Sequence, residues 1–206
     1  MYRDGPSLFC GSKTMIFHHV VYEISTGRIV RAGSGTTERA PDDLHGCDPS
    51  THALLPIKAD IKTQYIANGE AVDMGPRPSD HHVFDFTTKE WTLDLDAARS
   101  SAWARIKKAR DVEIASGVGY EGHIFDSCEQ SMHRMMMCAQ AVQASQDSTV
   151  AWTLADNSSV IIHATDILRI SSLMWTRFQA LFAKGQRLRE QIQQATTQAQ
   201  LDAISW

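Results

Sequence analysis

The spacing of apolar positions changes near residue 94 and divides the chain into two parts. Before that point, apolar residues alternate with polar ones or form short runs broken by turn residues, which is typical of strands. After it, they recur every three or four residues, which is typical of amphipathic helices. All six prolines lie at or before Pro78, and eight of the twelve glycines precede residue 95. The sequence therefore predicts an α+β fold: a small N-terminal antiparallel β meander, then a helical domain with a β-hairpin and a long C-terminal helix.

The first part is predicted to consist of three hairpins. Residues 15–24 form the first strand, and residues 28–32 return after a turn at Ser25-Thr26-Gly27. Residues 33–52, including Gly33-Ser34-Gly35, are predicted to be a long loop because turn-forming and polar residues dominate them. The other two hairpins are predicted at 64–74, around Asn68-Gly69, and at 83–93, around residues 87–89. Residues 1–14 lack periodicity and are predicted to be an N-terminal arm, which either docks on a partner or precedes a true start at Met15.

The second part, residues 95–206, is predicted to be an α+β helix-hairpin-helix module, and residues 15–94 a β-rich domain. Asp94 is a predicted N-cap for a helix that runs to about Ser116, where Gly117 ends it. Residues 120–125 are predicted to form one short strand. Ser127 and Gln130 match the capping box that would open a second helix. The expected apolar face of that helix contains Met132, Met135, Met136, Ala139 and Val142.

The last part of the chain is predicted to contain a hairpin and the longest helix. The hairpin joins strands at 149–154 and 159–163 through a turn at residues 156–158. Thr165 is the predicted cap of a helix over about 166–194, and Thr197 begins a last short helix. The apolar stripe of the long helix contains Ile167, Ile170, Leu173, Met174, Phe178, Leu181, Leu188 and Ile192.

Two features of these helices are candidate interfaces between protein chains. Met137 lies off the expected core face of the second helix, so we expect it to be exposed or at an interface. The stripe of the long helix suits either packing within the domain, which we favour, or a parallel oligomer seam. Such a seam would contain Leu181, Leu188 and Ile192, because Arg177 interrupts the stripe before them.

Charge and composition argue against several classes of protein. The net charge is −4 and Lys and Arg form no run, which disfavours binding to nucleic acid. No apolar run approaches the 18 or more residues of a membrane span, and the first residues do not resemble a signal peptide. The four cysteines are scattered and show no paired spacing. We therefore expect free thiols and folding in a reducing cytoplasm.

Candidate chemistry is weak. The common nucleotide, hydrolase and metalloprotease motifs do not occur. A metal site would need His18 or His19 with His81 or His82, or a cluster of His45, Cys47 and His52, and neither spacing matches a standard zinc module. A thiol site would pair Cys128 with His133 or His123, and it lacks the other groups that such an enzyme requires. We expect no catalytic residues, no cofactor and no metal.

The order of motifs in the second part resembles a domain of uncharacterised role at the C-terminal end of tailed-phage tail-fibre and baseplate-associated proteins. The likeness covers about residues 95–206. The motifs that carry it are Tyr120-x-Gly122-x-x-Phe125-Asp126, Trp152-Thr153-Leu154-x-Asp156-Asn157, the Thr165-Asp166 helix entry and the ending Ala195-Thr196 … Leu201-x-x-Ile204. The Met-rich helix has no counterpart in this likeness.

Shorter stretches of the first part resemble phage tail-fibre and fibre-assembly proteins. They are Tyr65-Ile66-x-x-Gly69, Pro76-x-Pro78 and Phe84-Asp85-x-Thr87-Thr88-x-x-Trp91, and residues 1–60 share only the turn Thr26-Gly27-Arg28-Ile29-Val30. The resemblance implies a non-enzymatic structural component of a tailed-phage tail that is made in the host cytoplasm. It would contact other tail proteins and associate with copies of itself, without binding nucleic acid or inserting into a membrane. The alternative that the resemblance implies is a tail-fibre assembly chaperone that is absent from the virion.

Overall fold

The computed structural model of the protein describes residues 16–36, 44–143 and 148–206. Within them the fold is α+β, as predicted: antiparallel strands come first, and helices, β-hairpins and a long C-terminal helix follow. The chain divides into two compact units, one that ends at Thr92 and one that spans Leu93–Trp206. The predicted arm at 1–14, the possible start at Met15 and the middle of the predicted loop, 37–43, lie outside the described residues.

The first unit begins with a three-stranded antiparallel sheet. Its strands are β1 (Phe17–Glu23), β2 (Ile29–Gly35) and β3 (His52–Leu55), in the order β2-β1-β3. The prediction that Gly33-Ser34-Gly35 is a loop was wrong, because β1 extends far enough to pair with each of these residues. Gly33 also leaves space for a neighbour, since a Cβ there would lie 2.6 Å from Cε1 of His19. The third strand was not predicted.

Two hairpins follow in the first unit, close to where the sequence predicts them. β4 (Gln64–Ala67) pairs with β5 (Glu70–Asp73), and β6 (His82–Asp85) pairs with β7 (Glu90–Leu93). Asn68 and Gly69 both have positive φ angles, 52° and 80°, as a type I′ turn requires. Aromatic side chains of both hairpins pack together around Phe84, whose ring centroid lies 5.5 Å from that of Tyr65 and 5.3 Å from that of Trp91.

The turn between β1 and β2 is held by backbone contacts to β4. The amide of Ile66 donates to the carbonyl of Gly27 at 2.8 Å, and Gly27 has a φ of 67°. Lys89 adds a second restraint, because its ammonium group donates to the carbonyls of Thr26 and Phe86. Val20, Ile29 and Ile66 form the small buried core that these contacts enclose.

The second unit starts with α1 (Leu95–Ala115), whose N-cap is Asp94, as predicted. The Asp94 carboxylate accepts from the amide of Ala97 at 3.0 Å. The prediction of one strand at 120–125 was wrong. β8 (Val118–Tyr120) and β9 (His123–Phe125) form a hairpin, because Glu121 and Gly122 take positive φ angles of 48° and 81° and reverse the chain.

The second helix, α2 (Glu129–Gln143), is not opened by the predicted capping box. The buried hydroxyl of Ser127 instead donates to the carbonyl of Ile114 and accepts from the amide of Gly117, so it ties the start of α2 to the end of α1. Met135 and Val142 are buried, as expected for the core face. Met136 was predicted on that face but is exposed.

The hairpin of β10 (Thr149–Thr153) and β11 (Ser159–His163) agrees with the prediction and leads directly into α3 (Ala164–Gln194). Thr165 is not the cap of α3. The helix begins one residue earlier, and its N-cap, His163, makes no side-chain capping hydrogen bond. The last helix, α4 (Gln198–Ala203), has the predicted Thr197 cap, which forms a full capping box with Gln200.

Two cores stabilise the second unit along the length of α3. The N-terminal half of α3, with Ile167, Ile170 and Met174, packs with α2 and both hairpins. The C-terminal end packs through Ile192 against α1 and α4. Arg99 and Arg105 of α1 fasten this end, because their guanidinium groups donate to backbone carbonyls of Ala195, Leu201 and Ile204.

Candidate functional site

A groove with a volume of about 680 Å³ lies in the second unit between the C-terminal part of α1, the start of α2 and the middle of α3. Its lining is mostly apolar. Such a volume and lining are typical of sites that bind another molecule or an apolar protein segment. Each helix supplies a different chemistry to the groove.

The wall from α3 is aromatic. Trp175, Phe178 and Phe182 follow one another at intervals of three and four residues, so their rings lie along one side of the helix. The ring centroids of Trp175 and Phe178 are 5.8 Å apart, and those of Phe178 and Phe182 are 4.7 Å apart. Trp175 is 55% exposed even though it is among the largest apolar side chains of the chain. The wall is therefore a continuous aromatic row that faces solvent at one end.

The wall from α2 is rich in methionine. Met132, Met135 and Met136 all line the groove, and Met174 of α3 adds a fourth thioether. Met135 is fully buried at the base, while Met136 is 53% exposed at the edge. Methionine side chains are flexible and polarisable, so such a wall adapts to the shape of what it contacts.

Charged groups stand at the rim. Arg110 of α1 pairs with Asp111 at 2.8 Å, and its guanidinium carbon lies 4.6 Å from the ring centroid of Phe182. Glu129 and His133 of α2 also line the groove. The rim thus carries both signs of charge, and the interior is apolar.

Arg177 helps to hold the end of α1 on α3 next to the groove. Its guanidinium donates to the carbonyls of Glu113 and Gly117 and to the Ser116 hydroxyl. The Glu113 carbonyl also accepts from the amide and hydroxyl of Ser116, so the guanidinium adds a charged donor at the C-terminal end of α1. This contact explains why an arginine interrupts the apolar stripe of α3.

The four residues predicted as candidate interfaces lie in two different environments. Met137 is 57% exposed on α2, as expected for its position off the core face. Leu181 and Ile192 are buried in α3, and Leu188 is partly buried. Leu188 and Ile192 belong to the core with α1 and α4, so the chain itself covers them. Gly185 is also buried, and a Cβ there would lie 3.5 Å from Cδ of Arg110.

Sequence reasoning missed the aromatic wall. It placed Phe178 in the buried stripe and omitted Trp175 and Phe182, because the stripe alone accounted for the packing of α3. The available signal was the spacing of the three aromatic residues, at intervals of three and four, on the side of the helix next to its buried positions. That signal does not reveal that the neighbouring helices leave Trp175 exposed and Phe178 and Phe182 only partly buried.

Two of the histidines considered as metal ligands contact each other, but they come from the two different predicted groups. His19 stacks on His45, with 5.3 Å between ring centroids and 3.3 Å between their Nε2 atoms. His52 contacts the hydroxyl of Thr51, and His82 contacts that of Ser79. Across the part of the chain that the structure describes, no group of three or more His, Cys, Asp or Glu residues is arranged to hold a metal ion.

The thiol of Cys128 lines the groove near the start of α2, as does His133. Its hydrogen-bond partner is the Ser131 hydroxyl, at 3.3 Å. Hydrogen bonds from the Ser131 side chain, followed by its backbone, hold the pKa of the Cys128 thiol below its ordinary value. The pairing with a histidine that a thiol site would need is replaced by this contact with serine.

Comparison with known proteins gives one match. A family model described as "Domain of unknown function (DUF4376)" matches residues 97–205, a range that contains every residue lining the groove. No curated protein and no solved structure is similar enough to this chain to count as a match. Within residues 16–36, 44–143 and 148–206, no helix is long and apolar enough to span a membrane.

Proposed function

The chain belongs to the DUF4376 family, and we propose that it is a non-enzymatic structural component of a tailed-phage tail. It acts in the tail tip, in the baseplate or as a fibre-attached protein, where it mediates assembly between protein chains. The proposal has two supports: the sequence likeness to phage tail proteins, and the exposed apolar groove of the second unit. The groove carries the proposal because it is an open, mostly apolar surface within the residues that the family model matches.

The chemistry of the groove favours protein contact over catalysis. Flexible thioethers face an aromatic row, which suits apolar side chains of a protein partner. Among the polar groups next to it, Arg110 pairs with Asp111 and the Cys128 thiol bonds to the Ser131 hydroxyl. Catalysis would need an acid, a base or a nucleophile positioned against one another at the apolar centre. We therefore propose no cofactor and no metal.

A second candidate uses the same surface differently. A tail-fibre assembly chaperone would bind an exposed apolar segment of an unfinished fibre in the host cytoplasm and then leave. The adaptable methionine wall is compatible with such transient binding. The two candidates differ in where the chain is found at the end of assembly.

Mass spectrometry of purified infectious particles distinguishes them. We expect the chain to be present in phage particles, at a constant ratio to other tail proteins across independent preparations. Presence in infected-cell lysate together with absence from particles would contradict the structural proposal and favour the chaperone.

A matched pair of variants tests the role of the groove. Trp175→Glu places a charge on the exposed end of the aromatic wall, whereas Leu173→Glu places one on the same helix at a position that does not line the groove. We expect Trp175→Glu to reduce incorporation into particles or infectivity, and Leu173→Glu to have little effect. Equal incorporation and infectivity of both variants would contradict the role of the groove.

A further inference from the structure

We infer that the first unit binds a divalent transition metal ion of the Zn²⁺ type through His19 of β1 and His45, which lies between β2 and β3. The inference goes beyond the proposed tail function and does not depend on it. The proposal of no metal stands for the groove, because both histidines belong to the first unit. Three observations support the site: the geometry of the two rings, the space that Gly33 leaves for one ring, and the turn that presents the other.

The two imidazole rings have the spacing of two ligands to one metal ion. Their Nε2 atoms are 3.3 Å apart and their ring centroids are 5.3 Å apart, so the rings diverge from nitrogens that face each other. Zinc binds histidine nitrogen at about 2.0–2.1 Å, which sets two nitrogens of a tetrahedral site about 3.3 Å apart. The observed separation is at the long end of the range for a hydrogen bond. An ion between the two nitrogens therefore needs little movement of either ring.

The backbone of β2 leaves room for the ring of His19. Gly33 pairs with His19 across the sheet, and a Cβ at Gly33 would lie 2.6 Å from Cε1 and 2.9 Å from Nε2 of this ring. The missing side chain thus allows the ring to lie beside β2. Its other nitrogen, Nδ1, is buried and has no hydrogen-bond partner among the described residues. Nε2 is therefore the nitrogen of His19 through which an ion is bound.

A tight turn presents His45. His45 and Gly46 have φ angles of 53° and 83°, and the amide of Cys47 donates to the carbonyl of Leu44 at 3.1 Å. Two consecutive residues with positive φ are typical of such a closed four-residue turn. His45 is exposed, so water has access to its side of the pair. An ion held by His19 and His45 joins this turn to β1 and restrains the connection between β2 and β3.

The donor atoms select the class of ion. Imidazole nitrogen suits zinc, copper and nickel, whereas calcium and magnesium prefer oxygen ligands. Within residues 16–36, 44–143 and 148–206, no third His, Cys, Asp or Glu joins the pair in an arrangement that could hold an ion. Water then fills the remaining positions around the ion. A site with two protein ligands is open, unlike the closed four-ligand sites of structural zinc, so we expect binding to be reversible.

Isothermal titration calorimetry of the full-length chain, purified without a histidine tag, tests the inference with Zn²⁺ as the probe. We expect one Zn²⁺ ion to bind per chain. His45→Asn should lose this binding, and asparagine tolerates the positive φ at this exposed position. His19→Gln should lose it as well. His18→Gln is the matched control and should bind like the wild type, because adjacent residues of a strand point to opposite faces of the sheet.

Gly33→Ala tests the geometry without removing a ligand. The added Cβ displaces the His19 ring, and the affinity for Zn²⁺ should fall about tenfold, an effect typical of disturbing the groups that orient a metal ligand. A ligand that binds the folded state raises the thermal unfolding temperature. Zn²⁺ should therefore raise this temperature for the wild type and His18→Gln, and leave it unchanged for His19→Gln and His45→Asn.

Three results would overturn the inference. The first is a wild type without saturable Zn²⁺ binding. The second is binding that persists unchanged in His19→Gln and His45→Asn, which would assign the ion to other groups. The third is an equal loss of binding in His18→Gln, which would indicate general binding by surface histidines. The presence of the chain in purified particles is a separate measurement, so the tail proposal and the metal site can fail independently.

Discussion

Gly27 is the residue at which the first unit depends most strongly on the absence of a side chain. Its φ of 67° lies in the left-handed region, and a Cβ there would lie 2.0 Å from the carbonyl oxygen of Ile66. We expect Gly27→Ala to lower the free energy of unfolding by about 3 kcal/mol, because it strains the backbone and disrupts the hydrogen bond to Ile66. Urea unfolding followed by tryptophan fluorescence measures this loss. Gly46→Ala is the matched control, since Gly46 has a φ of 83° with open space around it, and its strain alone should cost about 1 kcal/mol. Equal losses of stability in the two variants would contradict a role for the close contact between Gly27 and Ile66.

Asp85 gives the turn between β6 and β7 a defined pH dependence. Its carboxylate accepts from the amide of Thr87 at 2.7 Å, and this hydrogen bond holds its pKa below the ordinary value of 3.8. A lowered folded-state pKa contributes stability that is present above the ordinary value and is lost as pH falls through the folded value. The wild type should therefore exceed Asp85→Asn in stability above pH 3.8, and the difference should close as the pH is lowered. Thermal unfolding of both proteins across this range measures it, and a difference that does not change with pH would contradict the assignment.

At the scale of elements, Arg177 joins two helices by capping one of them. Its guanidinium donates to the Glu113 carbonyl in the last turn of α1 and to the Gly117 carbonyl just beyond the helix. We expect Arg177→Met, which keeps much of the apolar stem, to lower the free energy of unfolding by about 1–3 kcal/mol because these acceptors lose a charged donor. Arg187→Met is the control, since Arg187 is exposed on the same helix. Chemical denaturation of both variants provides the comparison, and equal stabilities would argue that water replaces the cap without cost.

The sequence predicted a helix start or a turn correctly where an interaction between residues close in the sequence determines it. The Asp94 cap, the Asn68-Gly69 turn and the Thr197 box involve residues within a few positions of one another. The wrong predictions concern residues whose structure depends on contacts with residues far away in the sequence. Ser127 donates a hydrogen bond to α1 instead of capping α2. Gly33 belongs to strand β2 because it pairs with β1. Thr165 lies inside a helix that begins directly after β11, because the chain passes from strand to helix without a loop.

At the scale of the whole molecule, the order of strands and helices followed from periodicity, but the groove did not. Periodicity identifies which residues of a helix face the interior, and it predicted most of the buried stripe of α3. It was wrong for Leu173, which was placed in that stripe but is 43% exposed. It does not determine how far apart neighbouring helices lie. Both α1 and α2 pack on α3, and the space between them leaves Trp175 and Met136 uncovered. The exposure of Met136 is therefore a property of the tertiary arrangement, not of its own helix.

The second unit holds its own cores, so residues 93–206 should fold without the first unit. Both larger core clusters lie within this range, and its helices are joined by their own hydrogen bonds. We expect a 93–206 fragment to show helical circular dichroism and a single cooperative unfolding transition. Its stability should be compared with that of a shorter fragment, 97–205, which contains only the residues that the family model matches. It loses the Asp94 cap, the packing of Leu93 and Leu95 on the α1 core, and the Trp206 indole that donates to Glu113.

Loss of a cap alone costs about 1 kcal/mol, and the lost apolar burial adds to it. The shorter fragment should therefore unfold at a lower denaturant concentration than the longer one. Equal stability of the two fragments would mean that these flanking residues contribute little. A core that closes on itself does not need the strands that precede it. A 93–206 fragment without a cooperative transition would therefore mean that the two units fold only together.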